Sequence, residues 1–130
     1  MAPINTDRRE PIFKDESDTL IGCAIAVHNG IGFGFHEKPY ENGLVVEFRF
    51  RKIPYEQQRK FDIRYREEKV GEYIPDLLVY GKIVVDTKVI ERITELEIGR
   101  MVNYLKITGY RLGYIINFKH EKLQWKRVVK

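Results

Sequence analysis

Two short apolar runs with charged residues at their outer ends constrain the fold of this chain most strongly. The runs are residues 77–79 and 83–85, with Gly81 midway between them. Short apolar runs around a glycine are typical of two buried strands joined by a tight hairpin. Asp76 directly precedes the first run, and Asp86 and Lys88 come after the second. Because buried charges are costly without partners, these three side chains need a binding partner or a function.

The register of this hairpin decides whether the charged side chains can act together. A two-residue loop would pair Pro75 with Asp86 and place the two carboxylates on opposite faces of the sheet. A three-residue loop centred on Gly81 would instead pair Asp76 with Asp86 on one face, and glycine accepts the left-handed conformation common in such loops. Lys88 lies two residues beyond Asp86 and points the same way. The sequence is compatible with both registers.

The composition predicts one soluble domain. The chain has 130 residues, of which 43% are hydrophobic and 32% charged. No apolar run approaches the roughly 20 residues of a membrane helix, so we expect no membrane contact. A single cysteine, Cys23, excludes an internal disulfide and favours a cytoplasmic location. We divide the chain into a polar arm, residues 1–15, and one domain, residues 16–130.

The remaining patterns alternate between helical and extended segments. Apolar periodicity predicts helices at residues 17–28 and 36–52, and a capping box at Thr94 opens a third helix that ends before Gly109. Strands are predicted at residues 61–65, 72–79, 82–89, 112–118 and 123–129. This order of two helices, three strands, one helix and two strands predicts an α/β (α+β) domain with a central mixed sheet flanked by helices.

Two carboxylates and an amine in this pattern are suited to phosphodiester hydrolysis. Carboxylate oxygens of Asp76 and Asp86 are the hard ligands that Mg²⁺ or Mn²⁺ prefers. The Lys88 amine could orient a metal-bound water or neutralise charge that develops in the transition state. A plainer explanation is a solvated hairpin end with a surface ion pair.

Three further residues are candidates with ordinary alternatives. Glu37 starts the second helix, where it could supply another carboxylate or simply interact with the helix dipole. Arg100 and Tyr104 lie four residues apart on one face of the third helix. Arg100 could bind a phosphate or a carboxylate, or it could be a surface arginine beside a packed tyrosine.

Six segments in order resemble the GxxExxY proteins, a branch of the PD-(D/E)XK nuclease superfamily. The name-giving segment is residues 34–40, GFHEKPY. The others are AVH at 26–28, YIPDL at 73–77, VDTK at 85–88, NYLKITG at 103–109 and IINF at 115–118. The resemblance spans most of the chain and implies a restriction-endonuclease-like core.

The resemblance also implies roles for the candidate residues. Asp76 and Asp86 would be metal ligands together with the Thr87 carbonyl, Lys88 the catalytic amine, and Glu37 a helix carboxylate that assists the metal. Arg100 and Tyr104 would face the substrate. Two residues depart from the family pattern, since Asp86 replaces the usual Glu and Arg100 replaces the usual Gln. The arginine could bind the scissile phosphate or neutralise a carboxylate of the site.

The first functional hypothesis is therefore an Mg²⁺- or Mn²⁺-dependent nuclease acting on DNA. The alternatives are a catalytically inactive nucleic-acid-binding module and a protein-interaction module that keeps the fold. The net charge of +4 is compatible with a polyanionic partner and does not identify one. A homodimer is left open by the sequence.

Overall fold

A five-stranded mixed sheet is the centre of the computed structural model, which describes residues 12–130. The elements in chain order are α1 (Lys14–Ile31), α2 (Glu37–Arg51), β1 (Tyr55–Gln57), β2 (Phe61–Tyr65), β3 (Glu68–Tyr73), β4 (Leu77–Val79), β5 (Ile83–Lys88), α3 (Glu95–Thr108), β6 (Leu112–Asn117) and β7 (Gln124–Val129). The order of strands in the sheet is β1-β4-β5-β6-β7, and β2 and β3 form a separate two-stranded ribbon. Only β5 and β6 are parallel, with α3 as their connection. The predicted fold class is confirmed.

Helices cover both faces of the sheet, because successive residues of each buried strand point to opposite sides. In β5, Ile83 and Val85 join the core under α1 and α2, whereas Val84 joins the core under α3. The α3 side is closely packed at Gly113 of β6, where a Cβ atom would lie 2.5 Å from the sulfur of Met101. A larger residue at position 113 would therefore displace the Met101 side chain.

The predicted helices are present with small differences in their ends. The helix α2 lies between its caps His36 and Lys52, as expected, and the capping box of α3 is formed by Thr94 and Glu97. The first helix is longer than predicted and begins at Lys14, within the expected arm. The arm up to residue 11 lies outside the described residues. Among residues 12–130, no helix is both long and apolar enough to cross a membrane.

The prediction of one continuous strand over residues 72–79 is wrong. The strand β3 ends at Tyr73 and β4 begins at Leu77, and the two belong to different sheets. Pro75 lies in the break and has no N–H to donate to a ladder. The short strand β1, which pairs with β4, and the separate strand β3 were not predicted, so five strands rather than three lie between α2 and α3.

The hairpin of β4 and β5 has the register expected from a three-residue loop. Leu77 pairs with Val85 and Val79 with Ile83. Tyr80 and Gly81 both have positive φ, at 60° and 64°. Continuing this register by one residue places Asp76 opposite Asp86, which brings the two predicted carboxylates to the same end of the sheet.

Candidate active site at the ends of the central strands

The carboxylate of Asp76 takes the place of a strand partner for β5. Its Oδ2 accepts hydrogen bonds from the backbone N–H and the Oγ1 of Thr87, both at 2.8 Å. A backbone N–H of a strand lies in the plane of the sheet, so this carboxylate lies level with the sheet just beyond β4. Burial raises the pKa of Asp76 above its ordinary value, although the two Thr87 bonds oppose that shift.

Asp86 points to the α3 side of the sheet, where it is buried with a relative exposure of 9%. The hydroxyl of Tyr73 lies 3.5 Å from its Oδ1, at the long end of the hydrogen-bond range. The ring of Tyr73 stacks on Tyr104 of α3, with centroids 3.9 Å apart. Burial, and then the nearby negative charge of Asp76, raise the pKa of Asp86 to about 6.

The two carboxylates approach each other from different directions. A regular strand through Asp76 would have placed both side by side on one face, as we expected from the register. Because β4 begins only at Leu77, Asp76 leaves the pleat and turns to Thr87, while Asp86 keeps the α3 side. Each carboxylate still influences the other, since the charge of Asp76 raises the pKa of Asp86.

Lys88 completes the group on the side of Asp86. It lies two residues along β5 and shares its face. Its positive charge lowers the pKa of both Asp76 and Asp86. Within residues 12–130 its amine makes no hydrogen bond or ion pair, and the side chain is partly exposed. The amine is therefore close enough to act on both acids and remains available to another ligand.

The Thr87 carbonyl faces the same end of the sheet as Asp76. In a strand, the N–H and C=O of one residue point to the same side. The Thr87 N–H points towards the β4 side and Asp76, whereas the Lys88 carbonyl points to β6 and accepts from Phe118. The Thr87 carbonyl thus points to the β4 side of β5, at a level beyond Leu77, the first residue of β4.

An open cavity of about 520 Å³ lies beside Asp76 on the α2 side of the sheet. Its lining residues are His36, Glu37, Lys38, Glu41, Gln58, Asp76, Thr87 and Val89. Glu37 is exposed at the first turn of α2, and its Oε2 accepts a hydrogen bond from the Val89 N–H at 3.3 Å. The structure therefore brings Glu37, Asp76 and Thr87 around one cavity, with Asp86 and Lys88 on the adjoining α3 side.

Glu41 is a buried acid of this cavity that the sequence analysis missed. It is only 3% exposed and accepts from Lys38 at 3.2 Å, Gln57 at 2.7 Å and Gln58 at 2.9 Å. Its negative charge contributes to the raised pKa of Asp76. The available signal was its position four residues after Glu37, which places both acids on one face of the helix. Tyr73 was missed as well, because no local pattern indicates its contact with Asp86.

The oxygen atoms at this end of the sheet suit a hard divalent cation. Asp76, Asp86 and the Thr87 carbonyl are the donor types that Mg²⁺ takes, and this ion is commonly held by one or two carboxylates plus water and phosphate. Among residues 12–130, no group of three or more His, Cys, Asp or Glu side chains is close enough to hold a metal. Burial disfavours the charged forms of Asp76 and Asp86, and a bound cation would stabilise those charged forms. The residues therefore fit such an ion.

Arg100 and Tyr104 occupy different environments on α3. Tyr104 is half-buried against Tyr73, so its ring supports the residue that contacts Asp86. Arg100 is exposed one turn earlier, and in the described part of the chain it forms no ion pair or hydrogen bond.

Comparison with known proteins gives a family for this arrangement. A family model described as the PD-(D/E)XK nuclease superfamily matches residues 14–128, from the first residue of α1 to the penultimate residue of β7. No curated protein sequence and no solved structure gave a match. The matched range contains Asp76, Asp86 and Lys88, together with all three helices. The chain belongs to the PD-(D/E)XK nuclease superfamily.

Proposed function

We propose that this protein is a metal-dependent nuclease that hydrolyses phosphodiester bonds of nucleic acid, with DNA as the first substrate to test. The observation that carries the proposal is that Asp76, Asp86 and Lys88 lie at one edge of the sheet, where β4 begins and β5 ends, next to an open cavity. Membership of the superfamily supports a nucleic-acid substrate. The buried acids suit a bound cation and the Lys88 amine suits an anion, and a metal ion with a phosphate supplies both.

Asp76, Asp86 and the Thr87 carbonyl would hold the metal in this proposal. A bound Mg²⁺ or Mn²⁺ would polarise the phosphate and lower the pKa of a coordinated water. The two Thr87 hydrogen bonds orient the Asp76 carboxylate, and the Tyr73 hydroxyl steadies Asp86. Glu37, which lines the cavity with Asp76, is proposed as a third carboxylate of the site.

Lys88 supplies the positive charge for the transition state. Its amine shares a face with Asp86 and lacks an ion-pair partner among residues 12–130. A phosphodiester gains negative charge on its non-bridging and leaving oxygens during hydrolysis, so an ammonium held nearby lowers the barrier. The same amine can donate a hydrogen bond that orients the attacking water.

We also propose that the chain is a GxxExxY protein within the superfamily. Its motif residues have distinct structural roles: Gly34 has a φ of 109°, Glu37 begins α2, and the Tyr40 hydroxyl donates to the Gly32 carbonyl at 2.7 Å. The motif therefore shapes the loop that leads into the cavity and places Glu37 at its rim. DNA as substrate, a homodimer and a cytoplasmic location stay predictions of the sequence.

The direct test replaces Asp76 by asparagine and compares cleavage and metal binding. Mg²⁺ or Mn²⁺ should raise the Tm of the wild type, because a ligand bound only by the folded state stabilises that state. At a metal concentration of a hundred times Kd, the free energy of unfolding should rise by about 2.7 kcal/mol. Asp76→Asn keeps an oxygen for the Thr87 bonds and loses the charge, so we expect almost no metal-induced shift and no DNA cleavage. Exposed Asp62→Asn serves as the control.

Equal metal-induced shifts in wild type and Asp76→Asn would place the metal elsewhere. A wild type that binds DNA in a salt-dependent manner without cleaving it in Mg²⁺ or Mn²⁺ would select the inactive nucleic-acid-binding module instead. A wild type that neither binds nor cleaves nucleic acid would favour the protein-interaction module.

Arg100 should act on phosphate, because no carboxylate of the described residues pairs with it. Arg100→Gln should therefore weaken DNA binding, measured in EDTA by fluorescence anisotropy, and reduce the slope of log affinity against log salt by about one. Tyr104 keeps its stacking on Tyr73 in this variant, so stability should change little. Tighter metal binding and faster cleavage in Arg100→Gln would show that the arginine neutralises the site instead.

A further inference from the structure

Two phenylalanines are held in exposed positions on the loop between α1 and α2. Phe33 is 53% exposed and Phe35 is 51% exposed. Between and before them, Gly34 and Gly32 have φ values of 109° and 87°, which side chains rarely adopt. Tyr40 secures this loop, since its hydroxyl donates to the Gly32 carbonyl at 2.7 Å and accepts from the Phe35 N–H at 3.3 Å. The rings are therefore presented by a defined backbone.

The support under this loop is itself buried. Tyr40 is fully buried and stacks on Phe118, with ring centroids 4.6 Å apart and planes 10° from parallel. Phe35 makes an edge contact with Tyr40, with centroids 6.5 Å apart. An anchored loop that exposes two large apolar side chains indicates a contact surface.

The loop ends at the rim of the candidate active site. Phe35 directly precedes His36 and Glu37, and both of these line the cavity that contains Asp76. Phe33 and Phe35 are two residues apart, so their Cα atoms are separated by at most about 7 Å. A ligand that reaches from the cavity along the loop would meet both rings.

The size and charge of the surface favour nucleobases over a protein partner. Half of two phenylalanine side chains amounts to about 200 Å², using the areas typical of aromatic residues. A stable protein interface needs about 800 Å² from each partner, roughly four times more. The segment from residue 29 to 35 carries no charged side chain, so it adds stacking rather than phosphate contacts.

We propose that Phe33 and Phe35 form a base-stacking platform that selects single-stranded nucleic acid, or an unpaired end, for the candidate active site. The proposal rests on the nuclease function proposed above and names its substrate class. Aromatic rings bind unpaired bases by stacking, and bases inside a duplex are already stacked on each other. A strand with splayed bases can therefore bind the platform while its backbone enters the cavity, and an intact duplex cannot.

The test compares single-stranded and blunt duplex oligonucleotides of one sequence by fluorescence anisotropy in EDTA, where no cleavage occurs. We expect the wild type to bind the single strand more tightly than the duplex. Phe33→Ala and Phe35→Ala should each weaken single-strand binding about tenfold and leave duplex binding unchanged. Phe50→Ala is the matched control, because Phe50 is 81% exposed and lies about 20 Å along α2 from Glu37.

A second variant separates stacking from folding. Phe35→Leu keeps an apolar contact for Tyr40 and removes the aromatic face, so it should weaken strand binding as alanine does, with an unchanged Tm. Unchanged single-strand affinity in the Phe33 and Phe35 variants, or a wild-type preference for duplex, would overturn the platform. A wild-type dimer that dissociates in the Phe33 and Phe35 variants, measured by sedimentation, would also overturn the platform. The rings would then form an interface between copies of the chain.

The outcome for the platform is distinguishable from that for catalysis. The wild type could cleave in Mg²⁺ while its affinity for single strands does not depend on Phe33 and Phe35. That result would overturn the stacking proposal and support the nuclease proposal. Ring-dependent binding of single strands without cleavage in Mg²⁺ or Mn²⁺ would keep the platform and remove the hydrolytic function.

Discussion

Replacing Lys88 by alanine should lower the rate of phosphodiester cleavage by about 10²- to 10³-fold, the usual effect of removing one electrostatic stabiliser of a transition state. The amine shares a face with Asp86 and lowers the pKa of both site acids. Its contribution is largest when the phosphate gains charge, so kcat should fall much more than the affinity for nucleic acid. Single-turnover cleavage and anisotropy measurements separate these two quantities.

Lys82→Ala is the matched control for Lys88. Lys82 lies just before β5 at its opposite end, and its amine pairs with the carboxylate of Glu16 at 2.8 Å. A surface ion pair of this kind contributes little to stability, and Lys82 does not line the cavity beside Asp76, so cleavage should be unaffected. If Lys88→Ala retained wild-type kcat while losing nucleic-acid affinity, the amine would be a binding residue and the catalytic assignment would be wrong.

Replacing Asp86 by asparagine should stabilise the metal-free protein by about 3 kcal/mol at pH 8. Burial raises the pKa of Asp86 from 3.8 to about 6. A raised folded-state pKa means that the stability associated with this group is complete below about pH 4 and is lost as the pH rises through 6. Asparagine does not ionise, so the variant avoids this loss.

Urea unfolding in EDTA at several pH values measures this effect. The difference between Asp86→Asn and wild type should stay constant from pH 8 down to about pH 6, shrink as the pH falls further, and disappear near pH 4. Glu68→Gln, at an exposed position of β3, should change stability by less than about 0.5 kcal/mol. A variant that is less stable than wild type at pH 8 would show that the hydrogen bonds of the Asp86 carboxylate outweigh its burial.

Local sequence patterns predicted the elements that depend on neighbouring residues. Gly81 made a three-residue loop one of two possible registers, and the observed pairing of Val79 with Ile83 is that register. The capping box at Thr94 and the limits of α2 were correct for the same reason, since caps and turns are formed within a few residues of the chain. Charges beside buried strands are rare, which is why Asp76, Asp86 and Lys88 were singled out; their roles stay predictions.

Non-local contacts decided what the local patterns left open. The strand predicted at residues 72–79 is broken because its first part pairs with β2 and its last part with β1 and β5. No local pattern places Tyr73 against Asp86; its hydroxyl lies 3.5 Å from that carboxylate while its ring stacks on Tyr104 of α3. Pairing of distant strands and packing between layers are not encoded in any short segment.

The sequence by itself determined the class of fold, proposed the candidate acids and amine, and allowed two registers for the hairpin between them. Only the tertiary structure decided how the side chains of those residues are oriented and buried relative to one another. It turned Asp76 to Thr87, buried Asp86 under α3 and buried Glu41 against Gln57 and Gln58. The physical reason is that burial and nearby charge, which set the pKa and the orientation of a side chain, come from residues far apart in the chain.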